Sequence, residues 1–293
     1  MVTDSLKQKE RCVSVRKNFA QNIRSIQVNA QDEYDKLREI YTEEWVSESQ
    51  GRETSYDFLF CEHFRELPFA GTHLTLDEFV EACGYSFTDD LEDFQTENLI
   101  DFCEFFFNLI SKLPSSIYRR YKFHLYEPDF VCQHILRVIE AIGYMRVEED
   151  GFAVFVPKDS VAIEVSQSKM IPVGVSYRLL SYNHHSMKGD LENKRQILLL
   201  LADQLEPQRK ALEAIDRQFT SDLFYAFNNI HIRHNNIDPL GAKYKKLIGD
   251  LSDEALEHWY DEVYQMCLLA FMRLEHGERK KEFDSLKAQI EGT

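Results

Sequence analysis

Between Phe224 and Pro239 the chain reads F-Y-A-F-N-N-I-H-I-R-H-N-N-I-D-P, which gathers four Asn, two His and one Arg at the end of an apolar helical run. A second polar block, Tyr182 to Asp190, carries Asn183, His184, His185, Ser186 and Lys188. These residue types suit a phosphodiester. Arg233 offers a forked, permanently charged donor to phosphate oxygens. His231 or His234, titrating near neutral pH, can take and return a proton. RNA carries its own nucleophile in the 2′-hydroxyl, so this chemistry requires no metal and no other cofactor. Charge developing at phosphorus would be held by Arg233 and by the amides of Asn228, Asn229, Asn235 and Asn236. His184, His185 and Lys188 would add substrate contacts from the second block.

The same residues have plainer uses. Asn ends helices and forms turns, and histidine often serves as a hydrogen-bonded structural residue. His184, His185, His231 and His234 are of metal-ligand type. The sequence has no H-E-x-x-H and no C-x-x-C, however, so no metal is assigned. It also lacks G-x-G-x-x-G, the P-loop pattern and the G-x-S-x-G elbow.

For the two blocks to meet, the chain must reverse between them. Leu191, Leu198, Leu201 and Leu205 fall at helical spacing, and the pattern resumes at Leu212, Ile215, Phe219, Leu223 and Phe227. Proline is tolerated in a first helical turn but not in an interior. If Pro207 starts a second, antiparallel helix, residues 191–205 rise roughly 22 Å and residues 208–228 return roughly 31 Å. Both blocks then arrive at one end. If Pro207 only kinks a single helix, they lie far apart.

A helical bundle with an Arg-polar-His stretch beside a late helix resembles the HEPN superfamily, which includes toxin and abortive-infection ribonucleases and non-catalytic relatives. Arg233-His234-Asn235-Asn236 is similar to the Arg-plus-polar half of its motif, and the likeness covers roughly residues 190–276. Family catalysts place a His a few residues after the Arg. Here those positions are Ile237, Asp238 and Pro239, so the motif is incomplete. The resemblance implies an RNA-binding or metal-independent RNA-cleaving protein of bacterial anti-phage defence type. It also implies a homo-oligomer, since sites in that family are often completed by dimerisation.

The rest of the chain reads mainly as helix, with candidate helices over 4–28, from Asp32 to Val46, after a Thr75 cap, from Phe94 to Leu113, from Asp129 to Ile142 and after a Ser252 cap. Tyr144 to Pro157 instead alternates across Asp150-Gly151, the signature of a β-hairpin. The expected fold is therefore a mainly α helical bundle with one inserted hairpin at about 144–157. It divides into a helical region (1–115), a helix-plus-hairpin region (116–182) and a C-terminal HEPN-like bundle (183–293). Tyr118-Arg119-Arg120-Tyr121-Lys122 is a small basic, aromatic cluster that reads either as a solvated turn or as a backbone-phosphate contact.

A net charge of −16 argues against a protein that coats duplex DNA, so any nucleic-acid contact must be a local basic patch. Residues 75–108 hold ten Asp or Glu and no Lys or Arg. This run supports a second functional class: a non-catalytic interaction module, regulator or scaffold, whose acidic helices dock a basic protein partner. Six scattered Cys, the lack of a signal-peptide core and the lack of a long apolar run point to a cytoplasmic protein with no membrane association.

Overall fold

The computed structural model describes residues 28–47, 51–87, 93–119, 121, 123 and 126–292. The helix expected over 4–28 lies outside the described residues, as do Arg120 and Lys122 of the basic, aromatic cluster. The fold is mainly α with two small antiparallel sheets.

The first element among the described residues is α1 (Ala30–Thr42), whose Asn29 side chain accepts from Gln31 N and Asp32 N to cap it. Helix α1 stops four residues earlier than the sequence suggested. Trp45–Ser47 (β1) instead pairs with Arg52–Thr54 (β2). Then follow α2 (Tyr56–His63), α3 (Leu76–Ala82), α4 (Thr96–Lys112), the single turn α5 (Ser115–Tyr118) and α6 (Pro128–Ala141). Thr75 caps α3 as its spacing implied, accepting from Glu78 N at 3.2 Å, while Glu78 reaches back to Leu74 N. Strands β3 (Tyr144–Glu149) and β4 (Phe152–Pro157) form the expected hairpin. An aromatic core of Tyr34, Tyr41, Tyr56, Phe60, Phe102 and Phe106 fills this half.

One face of α4 grips the free edge of β4. Asn108 both donates to Ala153 O and accepts from Ala153 N at 2.8 Å, as a neighbouring strand would. One turn earlier Glu104 accepts from Phe155 N, and one turn later Lys112 Nζ donates to Gly151 O. Residues 104, 108 and 112 share a helix face, so side chains take over the edge that a third strand would have covered. Asn108→Ala strands both backbone groups of Ala153, and urea denaturation should show a loss of about 2 kcal/mol.

The second half comprises α7 (Ser160–Ser166), α8 (Val173–Ser181), α9 (Leu191–Leu205), α10 (Arg209–Ile215), α11 (Arg217–Asn229), the single turn α12 (Lys246–Gly249) and α13 (Asp253–Glu291). Ser252 caps α13, accepting from Ala255 N. Its own core, from Ala162 to Leu274, is built on Leu198, Leu201, Leu205, Phe227, Tyr264, Cys267 and Phe271. The two apolar cores divide between Phe155 and Ala162. Among the described residues no helix is long and apolar enough to cross a membrane.

Candidate functional site

Pro207 sits in a 3-10 turn, Glu206–Gln208, directly after α9. The return path is two helices, α10 and α11, rather than one. Asp216 breaks them with an extended backbone and caps α11, its carboxylate accepting from Phe219 N and pairing with Arg273 at 2.7 Å. The chain does double back. Arg195, in the second turn of α9, donates to His231 O at 2.8 Å, and Arg233 reaches Ala202 and Glu206 at the far end of the same helix.

That placement sends Arg233 away from the first polar block. Its Nη1 pairs with Glu206 at 2.6 Å and its Nη2 donates to Ala202 O at 3.1 Å. The guanidinium lies over the Phe224 and Phe227 rings, with the side chain only 18% exposed. Arg233 was expected to be an open phosphate clamp. It instead ties the turn after α11 to the C-terminus of α9, where a cation also meets the helix dipole favourably.

The asparagines are similarly engaged. Asn228 and Asn229 donate to carbonyls one turn back, Phe224 O and Tyr225 O, and so finish α11. Asn236 is completely buried and acts as a hub. Its Oδ1 accepts from His231 N at 2.9 Å, and its Nδ2 donates to Lys243 O at 2.8 Å and to Asn228 O at 3.3 Å. Its carbonyl accepts from Lys245 N. As substrate-binding amides, Asn228, Asn229 and Asn236 are thus replaced by backbone-bonding ones. Asn235 is exposed, and His234 partly so.

His231 takes φ +51°, a left-handed conformation costly for a residue with a Cβ. The Asn236 bond to its N–H, and the Arg195 bond to its carbonyl, hold it there. Burial, with Arg195 adding to it, lowers the imidazole pKa below its usual value. Nδ1 accepts from Asn236 N, which fixes the neutral tautomer.

The hub fastens a second segment beside this turn. Lys243, Lys245 and Lys246 are exposed, and among the described residues no ion pair is formed by any of them. Their segment is tied to Asn236 through Lys243 O and Lys245 N, while Tyr225, one turn before the end of α11, is 65% exposed. Sequence reading passed over this K-Y-K-K run, although basic residues interleaved with an aromatic are a recognisable sign of phosphate contact.

His184 and His185 lie elsewhere, at a cleft of about 600 Å³ between the two halves. His184 Nδ1 accepts from Ser186 N, so its Nε2 carries the proton and donates to Glu104 Oε1 at 3.1 Å. His185 Nε2 faces Asp101 Oδ1 at 3.1 Å. Burial alone would depress the His185 pKa, but Asp101, with Glu104 and Glu97 adding, raises it overall. Two imidazole–carboxylate pairs thus join α8's end to α4. A neighbouring cleft of about 460 Å³ holds Lys188 and the buried Lys194, whose ammonium meets Asp261 at 2.7 Å and Glu257 at 2.8 Å. Of the acidic run expected to dock a basic partner, Asp101 and Glu104 are instead engaged with histidines of this chain. Among the described residues no hydrogen bond or ion pair joins His184, His185 or Lys188 to the 228–236 turn, so the two blocks do not form one site.

No known protein family, curated protein or solved structure matches the chain.

Proposed function

We propose that this protein binds single-stranded RNA through the surface spanning residues 231–246, with Lys243, Lys245 and Lys246 on the phosphates. The observation that supports the reading is the Asn236 hub. It closes a lysine loop against a turn carrying His231, His234 and Asn235, on a chain whose net charge is −16. A local basic patch is what an acidic protein needs to hold a polyanion. Tyr225 gives a base a ring on which to stack, and such stacking is a single-strand device. The HEPN likeness supplies RNA as the ligand class and defence as the setting. Binding, rather than cleavage, is the reading: Arg233 is engaged with Glu206 and Ala202, and the His231 Nδ1 lone pair is taken by Asn236 N.

The test is fluorescence anisotropy with a labelled single-stranded RNA at moderate salt. Lys243→Glu/Lys245→Glu/Lys246→Glu should weaken binding by at least about tenfold, because each lysine lost removes a phosphate contact and each glutamate repels one. Tyr225→Ala should weaken it less and without changing the salt dependence. Wild-type affinity in the triple variant would remove this surface from the account.

A further inference from the structure

We infer that the C-terminal part of α13 is a parallel, two-stranded helical contact with a second copy of this chain. The inference rests on residues 280–291 and is independent of the RNA reading. Helix α13 is anchored to its own bundle as far as Arg279: Leu274 is buried, Ile215 lies across Gly277, and Arg279 pairs with Glu164 at 2.6 Å. Beyond that the helix runs on to Glu291, and residues 282–287 are all exposed. Phe283, Leu286 and Ile290 are 55%, 49% and 75% exposed.

Their offsets of three and four residues place Phe283 and Ile290 at a positions and Leu286 at a d position of one heptad register, on a single stripe. The stripe does not continue the inward face. Leu256, Tyr260, Val263, Cys267, Ala270 and Leu274 would extend to Lys281 and Ala288, whereas the exposed stripe follows a different phase of the helix. Among the described residues the bundle therefore leaves it uncovered.

The flanking charges select the occupant and its direction. In this register Glu282 is a g position, and Lys280 and Lys287 are e positions. Parallel pairing of two copies sets Glu282 of each against Lys287 of the other. Among the described residues Lys287 reaches its own Asp284, at 3.8 Å, and the Phe283 ring. Antiparallel pairing would bring the e-position lysines of the two copies together, and like charges there repel. Three apolar side chains per copy make a small contact, so the dimer should form in the micromolar range.

Sedimentation equilibrium of the full chain over a rising concentration series should show the mass moving from 34.5 kDa toward twice that value. Phe283→Glu/Leu286→Glu/Ile290→Glu should remain a monomer throughout, with an unchanged thermal melt because these side chains are outside the core. Ile290→Cys should cross-link to itself under mild oxidation, as facing a positions do only in parallel pairs. Asp284→Cys, on the outer face, should cross-link no more than wild type. A wild-type monomer at every concentration overturns the inference, whether residues 1–27 of the same chain cover the stripe or nothing does. So does a glutamate variant that still doubles its mass. Failure of Ile290→Cys to cross-link in a protein that dimerises overturns the parallel arrangement.

Discussion

Asn236→Ala is expected to cost about 3 kcal/mol of stability and to remove RNA binding together with it. The side chain is fully buried and makes three hydrogen bonds, to His231 N, Lys243 O and Asn228 O. Truncation strands those backbone groups, and each buried orphan costs about 1 kcal/mol or more. It also releases His231 from its left-handed backbone and lets the lysine loop leave the turn. Asn236→Asp discriminates the mechanism. The carboxylate keeps the bond from His231 N but turns two donations into repulsions against carbonyl oxygens, so it should be at least as damaging as Ala. A mild Asp variant in thermal denaturation would mean that the amide is not the hub described.

The second large effect belongs to Lys194. Its ammonium is buried between Asp261 and Glu257 and lies over the Tyr182 ring, while Tyr182 also donates to Asp261. Lys194→Met keeps the volume and removes the charge, leaving Glu257 in its recess without its direct ion-pair partner. Removing one partner of a fully buried pair costs about 3–5 kcal/mol. Half-exposed Asp261 shares the site, so about 2–3 kcal/mol is expected here. The pH profile carries the signature. Burial pushes the Glu257 pKa up, but the Lys194 and Gly189 N–H bonds outweigh it, and the folded value lies below the usual 4.5. A depressed carboxylate stabilises the fold above its unfolded pKa, and that contribution is lost as pH falls through the folded one. Wild type should therefore lose stability below about pH 4.5, and Lys194→Met should lose less over the same interval. Parallel acid profiles for the two proteins would contradict the assignment.

Much of the architecture could be read before any coordinates, for identifiable reasons. Pro207 marked either a kink or a new helix, and Thr75 and Ser252 marked two helix starts, because each rule involves only neighbouring residues. Asp150-Gly151 between alternating runs marked the hairpin in the same local way. The break at Asp216 escaped because aspartate interrupts a helix only when its side chain turns back to cap the next one, and its Arg273 partner lies on α13. Strands β1 and β2, with three residues each, are too short for a period of two to emerge. Helices α7 and α8, at seven and nine residues, make only about two turns each, too few for their apolar spacing to stand out.

The candidate site was legible as a place but not as a set of roles. The amides between 228 and 236 were concentrated enough to mark a special segment. Whether an amide faces solvent or a carbonyl depends on single backbone angles, such as φ at His231, which composition does not encode. Arg233 illustrates the same limit, because its partner Glu206 is near only once the chain has turned at Pro207. The pairing of His184 and His185 with Glu104 and Asp101 spans about eighty residues of sequence and depends on α4 meeting the end of α8.

The central claim, that phosphates are held by the lysine loop, is tested most directly by the salt dependence of RNA affinity. Three single-strand phosphate contacts predict a plot of log association constant against log salt with a slope of about −2. In Lys243→Ala/Lys245→Ala/Lys246→Ala the slope should approach zero while the thermal melt stays at the wild-type position. A slope unchanged by the triple substitution, or no measurable RNA binding by the folded wild-type protein at low salt, would contradict the account.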